Sequence, residues 1–248
     1  MLLISILAAT LIGGVISVLL AAIISLTSLA KIADKMVAFA VGTLLCFALT
    51  DIIPEAIEQG LEPHKAGWIL LGGILGFFLL EKMALWRHEH HHAHTEVLAD
   101  QKVSMIVIGD GLHNFVDGVL IAAAFVADPI LGWATAITVM MHEIPQEISD
   151  FMVLLNAGLS KSRALLLNTA SGASMMVGGV IGWLALEATQ AAIPIILVIA
   201  GSSFIYIAVA DLVPELQQKR SLKDSIYQLG LIACGIAVSL LAQQLHHH

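Results

Sequence analysis

The sequence predicts an all-α polytopic membrane protein with eight transmembrane helices, inverted-repeat character and both termini outside. Three observations carry that prediction. Of 248 residues 58% are hydrophobic and 12% charged, where a soluble domain has roughly 25% charged, and the mean hydropathy is +0.93. Apolar stretches long enough to cross about 30 Å of hydrocarbon recur along the whole chain. Ten of the 11 lysines and arginines fall on one side of the zigzag those stretches make. The net charge of −8, with histidine neutral, leaves no basic footprint for a nucleic-acid partner. Cys46 and Cys234 lie inside apolar stretches, which argues against both a disulfide framework and a cysteine-ligated zinc module.

The first span, residues 2–26, lacks the basic start and small-residue cleavage site of a signal peptide and counts as a crossing helix. The others are expected at residues 35–57, 66–86, 103–127, 129–156, 163–186, 190–213 and 224–245. None alternates as a barrel strand would, and in lipid only a helix or a closed barrel satisfies every backbone group. With the N-terminus outside, the cytoplasmic loops and helix ends hold Lys31, Lys35, Lys82, Arg87, Lys102, Lys161, Arg163, Lys219, Arg220 and Lys223, leaving Lys65 outside. That split follows the positive-inside rule and supports the even count. Residues 1–248 form one expected membrane domain, in a prokaryotic inner membrane. His246, His247 and His248 are read as the remnant of a purification tag.

The long hydrophilic loop, RHEHHHAHTEVLADQK at residues 87–102, carries five histidines and is either a low-affinity metal sink or a plain linker. The second and seventh spans share an ending: Asp51, Pro54 and Glu55 in one, Asp211, Pro214 and Glu215 in the other. The two spans run in opposite directions, and repeats of opposite orientation mark secondary transporters. Chance similarity between two helix ends is the alternative.

Ionisable groups at the bilayer centre cost about 2.5 to 3.5 kcal/mol each on the lenient insertion scale, so a cluster of them implies function. They concentrate in two spans. The fourth reads GDGLHNFVDG, with Asp110, His113, Asn114 and Asp117; the fifth reads HEIPQEISD, with His142, Glu143, Gln146, Glu147 and Asp150. His113 and Asp117 are four apart, as are His142 and Gln146, and Glu143 and Glu147, so each pair shares a helix face. Pro145 withdraws a backbone donor and frees a carbonyl near Met141. Two imidazoles, several carboxylates and two amides across antiparallel helices suit Zn²⁺, Fe²⁺, Mn²⁺ or Cd²⁺, and the lack of thiolate argues against Cu(I). A polar network that merely glues helices usually relies on Ser, Thr or one Asn. A nanomolar site filled at about 10⁷ M⁻¹s⁻¹ would release its ion only in about a minute, so amide ligands beside the stronger ones fit a carrier better than a store.

His-Asn-Phe-x-Asp-Gly on the fourth span and His-Glu-Ile-Pro-x-Glu on the fifth resemble the ZIP (Zrt-, Irt-like) metal transporters, closest to the subfamily reading His-Glu-Ile-Pro-His-Glu. The resemblance covers nearly the whole chain. It implies a primary transport site from His113, Asp117, His142 and Gln146, and a neighbouring one from Asn114 and Glu143 with Asp117 able to bridge. It also implies Asp51 in metal entry or exit, and movement of metal toward the cytoplasm by spans one, four, five and six shifting against a homodimeric scaffold. Gln146 stands where the close subfamily has His, and Met175 where some members carry a Glu ligand, so one good site and one poor one are expected. The expected cargo is a divalent ion, Zn²⁺ first, with no organic cofactor, and the expected partners are the lipid bilayer and a second copy of the chain.

Two other functions compete. An intramembrane zinc hydrolase would need His-Glu-x-x-His, which Gln146 breaks, and no nucleophile stands beside it. A proton or sodium transporter working through carboxylates alone leaves His113 and His142 without a role.

Overall fold

The computed structural model describes residues 1–26, 30–86, 95–217 and 221–246, and the described residues are almost entirely helical. Helix α1 comprises Leu2–Thr10, a π-helical turn at Leu11–Ile16, and Ser17–Ser25. Helix α2 runs Ala30–Phe47, through a π turn at Ala48–Ile52, into Ile53–Glu58. Then come α3 (Pro63–Trp86), α4 (Thr95–Ala127), α5 (Pro129–Asn156) and α6 (Lys161–Ala188). Helix α7 comprises Ile193–Tyr206, a π turn at Ile207–Leu212 and Val213–Gln217, and α8 is Leu222–His246. Seven of the eight are long and apolar enough to cross a membrane. The eighth, α5, has the length, but its middle carries the polar run.

Local chemistry sets the reversals. One residue joins α4 to α5: Asp128 Oδ1 accepts from the amides of Ile130 and Leu131, at 2.8 and 2.9 Å, and Pro129 starts the helix where a missing N–H costs nothing. Ser160 caps α6 in the same way through Arg163 N. The turns after α2 and α5 use Gly60 and Gly158 at φ +95° and +93°, where a side chain would be strained.

The fourth helix starts at Thr95, so half of the segment expected to be a loop, from 95 to 102, is helical. That stretch, TEVLADQK, is rich in good helix formers, and their propensity extends α4 at its N-terminal end. The histidine-rich residues up to 94 lie outside the described residues, as do His247 and His248.

The shared ending of the second and seventh spans has a structural counterpart. Both contain a π turn around the aspartate, followed by a helical turn with Pro54 or Pro214. Proline cannot donate to the carbonyl four residues back and its ring crowds it, and a π turn makes room for the misfit. The Thr50 carbonyl, which Pro54 cannot serve, accepts Gln243 Nε2 from α8 at 2.7 Å. Helices α2 and α7 pack antiparallel, with Phe47 against Phe204 (ring centroids 6.4 Å apart) and Ile53 against Gly201.

Small residues draw the helices together. A Cβ on Gly118 of α4 would overlap the Met175 carbonyl of α6, and one on Gly178 would overlap the Phe115 carbonyl. Gly14 of α1 meets the Gly172 carbonyl likewise, which ties α1, α4 and α6 into one block. On the other side, Gly42 of α2 meets Ile232 of α8, and Gly73 of α3 meets Ser202 of α7. Close backbone approach of this kind is the main source of helix adhesion in lipid. Helices α3 and α8 lie at the periphery and turn Trp68, Leu75, Phe78, Ile226 and Leu229 outward, as lipid-facing helices do.

Candidate metal centre

Helices α4 and α5 run antiparallel through the middle of the fold, and each brings its polar run to the same level. His113 and Asp117 project from α4 one turn apart. Helix α5 continues unbroken through Pro145 and presents the consecutive pair His142 and Glu143. The four side chains converge. His142 Nε2 lies 3.2 Å from Asp117 Oδ2 and 3.5 Å from Glu143 Oε1; His113 Nε2 lies 3.7 Å from Asp117 Oδ2 and 3.4 Å from Glu143 Oε1. The imidazole rings meet edge to face at 5.8 Å. Asp117, His142 and Glu143 are fully buried, and His113 is 20% exposed.

Those distances carry a geometric meaning. Four ligands placed tetrahedrally at about 2.0–2.1 Å from a zinc ion are about 3.3 Å from one another, and the four measured edges run from 3.2 to 3.7 Å. His142 Nδ1 lies 3.3 Å from the Thr138 carbonyl. Donating its proton there leaves Nε2 as the lone-pair nitrogen, the usual arrangement behind a metal-binding histidine. His113 Nε2, His142 Nε2 and both carboxylate oxygens of Asp117 and Glu143 are buried without hydrogen-bond partners. Buried polar atoms are otherwise almost always paired.

A second group lies one turn away. Asp110, Glu143 and Glu147 bring carboxylate oxygens within 4.8 Å of one another. Asn114 Nδ2 donates to Asp110 Oδ1 at 2.9 Å, and Asn168 Nδ2, from α6, donates to Glu147 Oε2 at 2.8 Å. Four carboxylates therefore sit within two helical turns, and among the described residues none pairs with Lys or Arg. Each buried ion carries a penalty of several kcal/mol, so four together rival the 5–15 kcal/mol stability of a typical domain. Cations must offset that cost for the site to be populated in ionised form.

The expected residues divide accordingly. His113, Asp117, His142 and Glu143 come together in one cage. Glu143, which the resemblance placed in the neighbouring site, joins the two histidines and Asp117. Gln146 lies a turn further along α5, half-buried, and hydrogen-bonds none of the described residues. Asn114 is fully buried but turned to Asp110. Asp51 lines a largely apolar cavity between α2, α5 and α8, together with Phe47, Thr138, Met141 and Gln243. Met175 is wholly buried and packs against Gly13 and Gly14 of α1. Asp110, Glu147 and Asn168 were not among the expected ligands. The spacing of Asp110 to Asn114 and of Glu143 to Glu147 signals the first two, whereas for Asn168 the only signal is an amide inside an apolar span.

The fold and this cage define a class: a multi-pass helical membrane protein with a buried donor set suited to a divalent cation. The profile of the family described as ZIP Zinc transporter matches residues 1–103 and 86–243, and the chain belongs to that family. It is 28% identical over 284 residues to the metal cation symporter ZIP14 of Xenopus tropicalis, covering 83% of this chain and 61% of that protein. Over 142 residues it is 37% identical to the human zinc transporter ZIP4, covering 56% of this chain and 22% of that one. Over 112 residues it is 42% identical to the rat metal cation symporter ZIP8, covering 45% and 24%. The chain thus spans less than two thirds of the length of these relatives. Their names describe transport, and they give no support to a hydrolase. Being animal proteins, they also give none to a prokaryotic inner membrane.

Proposed function

We propose that the protein carries divalent metal ions across the membrane, Zn²⁺ foremost with Fe²⁺, Mn²⁺ and Cd²⁺ as the other candidates, and that His113, Asp117, His142 and Glu143 hold the ion in transit. The observation that carries this reading is the cage itself: two imidazole nitrogens and two carboxylate oxygens, unpartnered, buried, and spaced at the edges of a zinc-sized tetrahedron. Two carboxylates and two neutral imidazoles balance the charge of one divalent ion. The relatives' names, zinc transporter and metal cation symporter, point the same way. Asn114 and Gln146 flank the cage and are assigned auxiliary contacts during entry and exit.

The mechanism follows from how the helices are tied together. Glycine contacts bind α1, α4 and α6 into one body carrying the cage with α5, and α2 with α8 and α3 with α7 into another. Between the two lie Phe204 of α7 against His142 (6.0 Å between rings) and the cavity lined by Phe47, Asp51 and Thr138. A shift of the first body along this mostly apolar seam would expose the ion to one face and then the other without opening a continuous pore. Movement is toward the cytoplasm, and the working unit is a homodimer in this proposal. No organic cofactor is needed for such a step.

Zinc uptake into proteoliposomes tests the reading. The native chain is expected to move Zn²⁺, and H113A and H142A to abolish that flux while remaining folded. Flux that survives both substitutions would remove the cage from the path, and a native chain that moves none of the four ions would end the carrier reading.

A further inference from the structure

We propose that the cavity between α2, α5 and α8 binds a small lipophilic amine arriving from the bilayer. Its ammonium meets the Asp51 carboxylate, and its apolar body wedges the cage-bearing helices against the others. The binding stands on the cavity alone; its effect on transport rests on the reading of the chain as a metal carrier.

The cavity measures about 130 Å³. Apolar cavities of roughly 150 Å³ stay dry and take up a benzene-sized guest. Phe39 and Phe47 of α2 line one side, and Leu131 and Ala134 of α5 another. Ile130, Ile137 and Val238 also line it and are 53%, 55% and 46% exposed on the outer surfaces of α5 and α8. In a bilayer those three side chains meet lipid, so a guest enters from hydrocarbon rather than from water.

Charge selects the guest. Asp51 is the one ionisable residue in the lining. The polar side chains around it already serve backbone carbonyls: Thr43 Oγ1 donates to Ala40 at 2.9 Å, Ser239 Oγ to Thr43 at 3.5 Å and Gln243 Nε2 to Thr50 at 2.7 Å. What the lining presents is therefore apolar surface and one carboxylate. A fatty acid or an anionic lipid would set like charges together there, whereas an ammonium makes a charge-assisted hydrogen bond.

Position gives the consequence. The cavity bridges the two bodies, with α5 on one side and α2 and α8 on the other. Thr138 lines it as well, and the Thr138 carbonyl lies 3.3 Å from His142 Nδ1, directly behind the cage. A guest that touches both bodies must leave before they slide, so it arrests the shift while the four cage residues keep their places.

The test titrates the full chain, in phosphatidylcholine nanodiscs, with para-fluorophenethylamine followed by ¹⁹F NMR, with empty nanodiscs to measure partition into lipid. Zn²⁺ uptake into proteoliposomes is measured alongside. The native chain is expected to bind the amine saturably, one guest per chain. Replacing the amine by para-fluorophenethyl alcohol, or the native chain by D51N, should each weaken binding about tenfold. A134F and V238F fill the cavity from opposite sides and should abolish it. The amine should also arrest native uptake, and added Zn²⁺ should not restore it. No saturable binding, binding that survives in A134F and V238F, or equal affinity for amine and alcohol overturns the site. Should A134F fail to fold, V238F, at an exposed position, decides alone. Uptake that persists with the site filled, or that returns as Zn²⁺ is raised, overturns the wedge. A native chain that moves no Zn²⁺ without the amine ends the carrier reading and the wedge with it, and the binding titration still decides the site.

Discussion

His142 and Glu143 are neighbours in sequence, 100° apart around α5, yet both point into one cage. That is possible because the cage sits in the seam between α4 and α5 and the two side chains straddle it. The consequence separates two residues that look equivalent on paper. In the proposed site Glu143 forms a corner of the cage and Gln146 makes an auxiliary contact, so E143Q is expected to weaken Zn²⁺ binding by about 100-fold or more, and Q146A by less than about tenfold. Equilibrium dialysis with the purified chain reads both. The scale follows from ligand chemistry: losing even an outer hydrogen-bond partner of a ligand costs roughly 10–100-fold. In the presence of chelator the sign reverses for stability. D117N and E143Q each remove one of two buried carboxylates crowded onto the same two imidazoles, so the metal-free variants should melt a few degrees above the metal-free native chain.

Much of the site was legible at this scale. Histidines and carboxylates are costly mid-span and point to a functional site there, and their four-residue spacing gives the shared face. The choice between Glu143 and Gln146 was not legible. It depends on how α5 is rotated against α4, which involves contacts that the motif does not spell out: Gly132 against the Phe125 ring, and Asn168 of α6 against Glu147.

At the scale of helices, the eight spans follow from hydropathy because the bilayer leaves a long chain few other structures. Their ends were less legible. Residues 95–102 are polar and read as loop, but helix propensity and continuity with α4 decide otherwise. The π turns in α2 and α7 follow from Pro54 and Pro214 only in retrospect, since a proline can equally kink or end a helix. What holds the block of α1, α4 and α6 is backbone contact at glycine. Gly118→Val places a side chain where the Met175 carbonyl lies and should cost about 3 kcal/mol or more, seen as a lowered melting temperature in detergent. Gly76→Ala on α3 meets nothing within 4 Å and should change stability by less than about 0.5 kcal/mol.

At the scale of the whole molecule, four carboxylates are buried close together with no Lys or Arg paired to them among the described residues, so in the proposed carrier ion binding and stability are coupled. Zn²⁺ at 100 times its dissociation constant should stabilise the native chain by about 2.7 kcal/mol. That gain should vanish in H113A/H142A, and thermal melts with and without chelator measure both. A carrier built this way must keep the gain modest, because an ion that stabilises one conformation too strongly will not leave it. In the proposed mechanism the seam beside Phe204 is where the cage-bearing helices shift against the others.

X-ray absorption at the zinc edge, on the full chain loaded with one equivalent of Zn²⁺, tests the central claim most directly. The cage predicts a four-coordinate ion with two imidazoles and two carboxylate oxygens at about 2.0–2.1 Å, and loss of the imidazole signature in H113A/H142A. An ion surrounded by oxygen alone in the native chain, or an imidazole signature that persists in H113A/H142A, would contradict it.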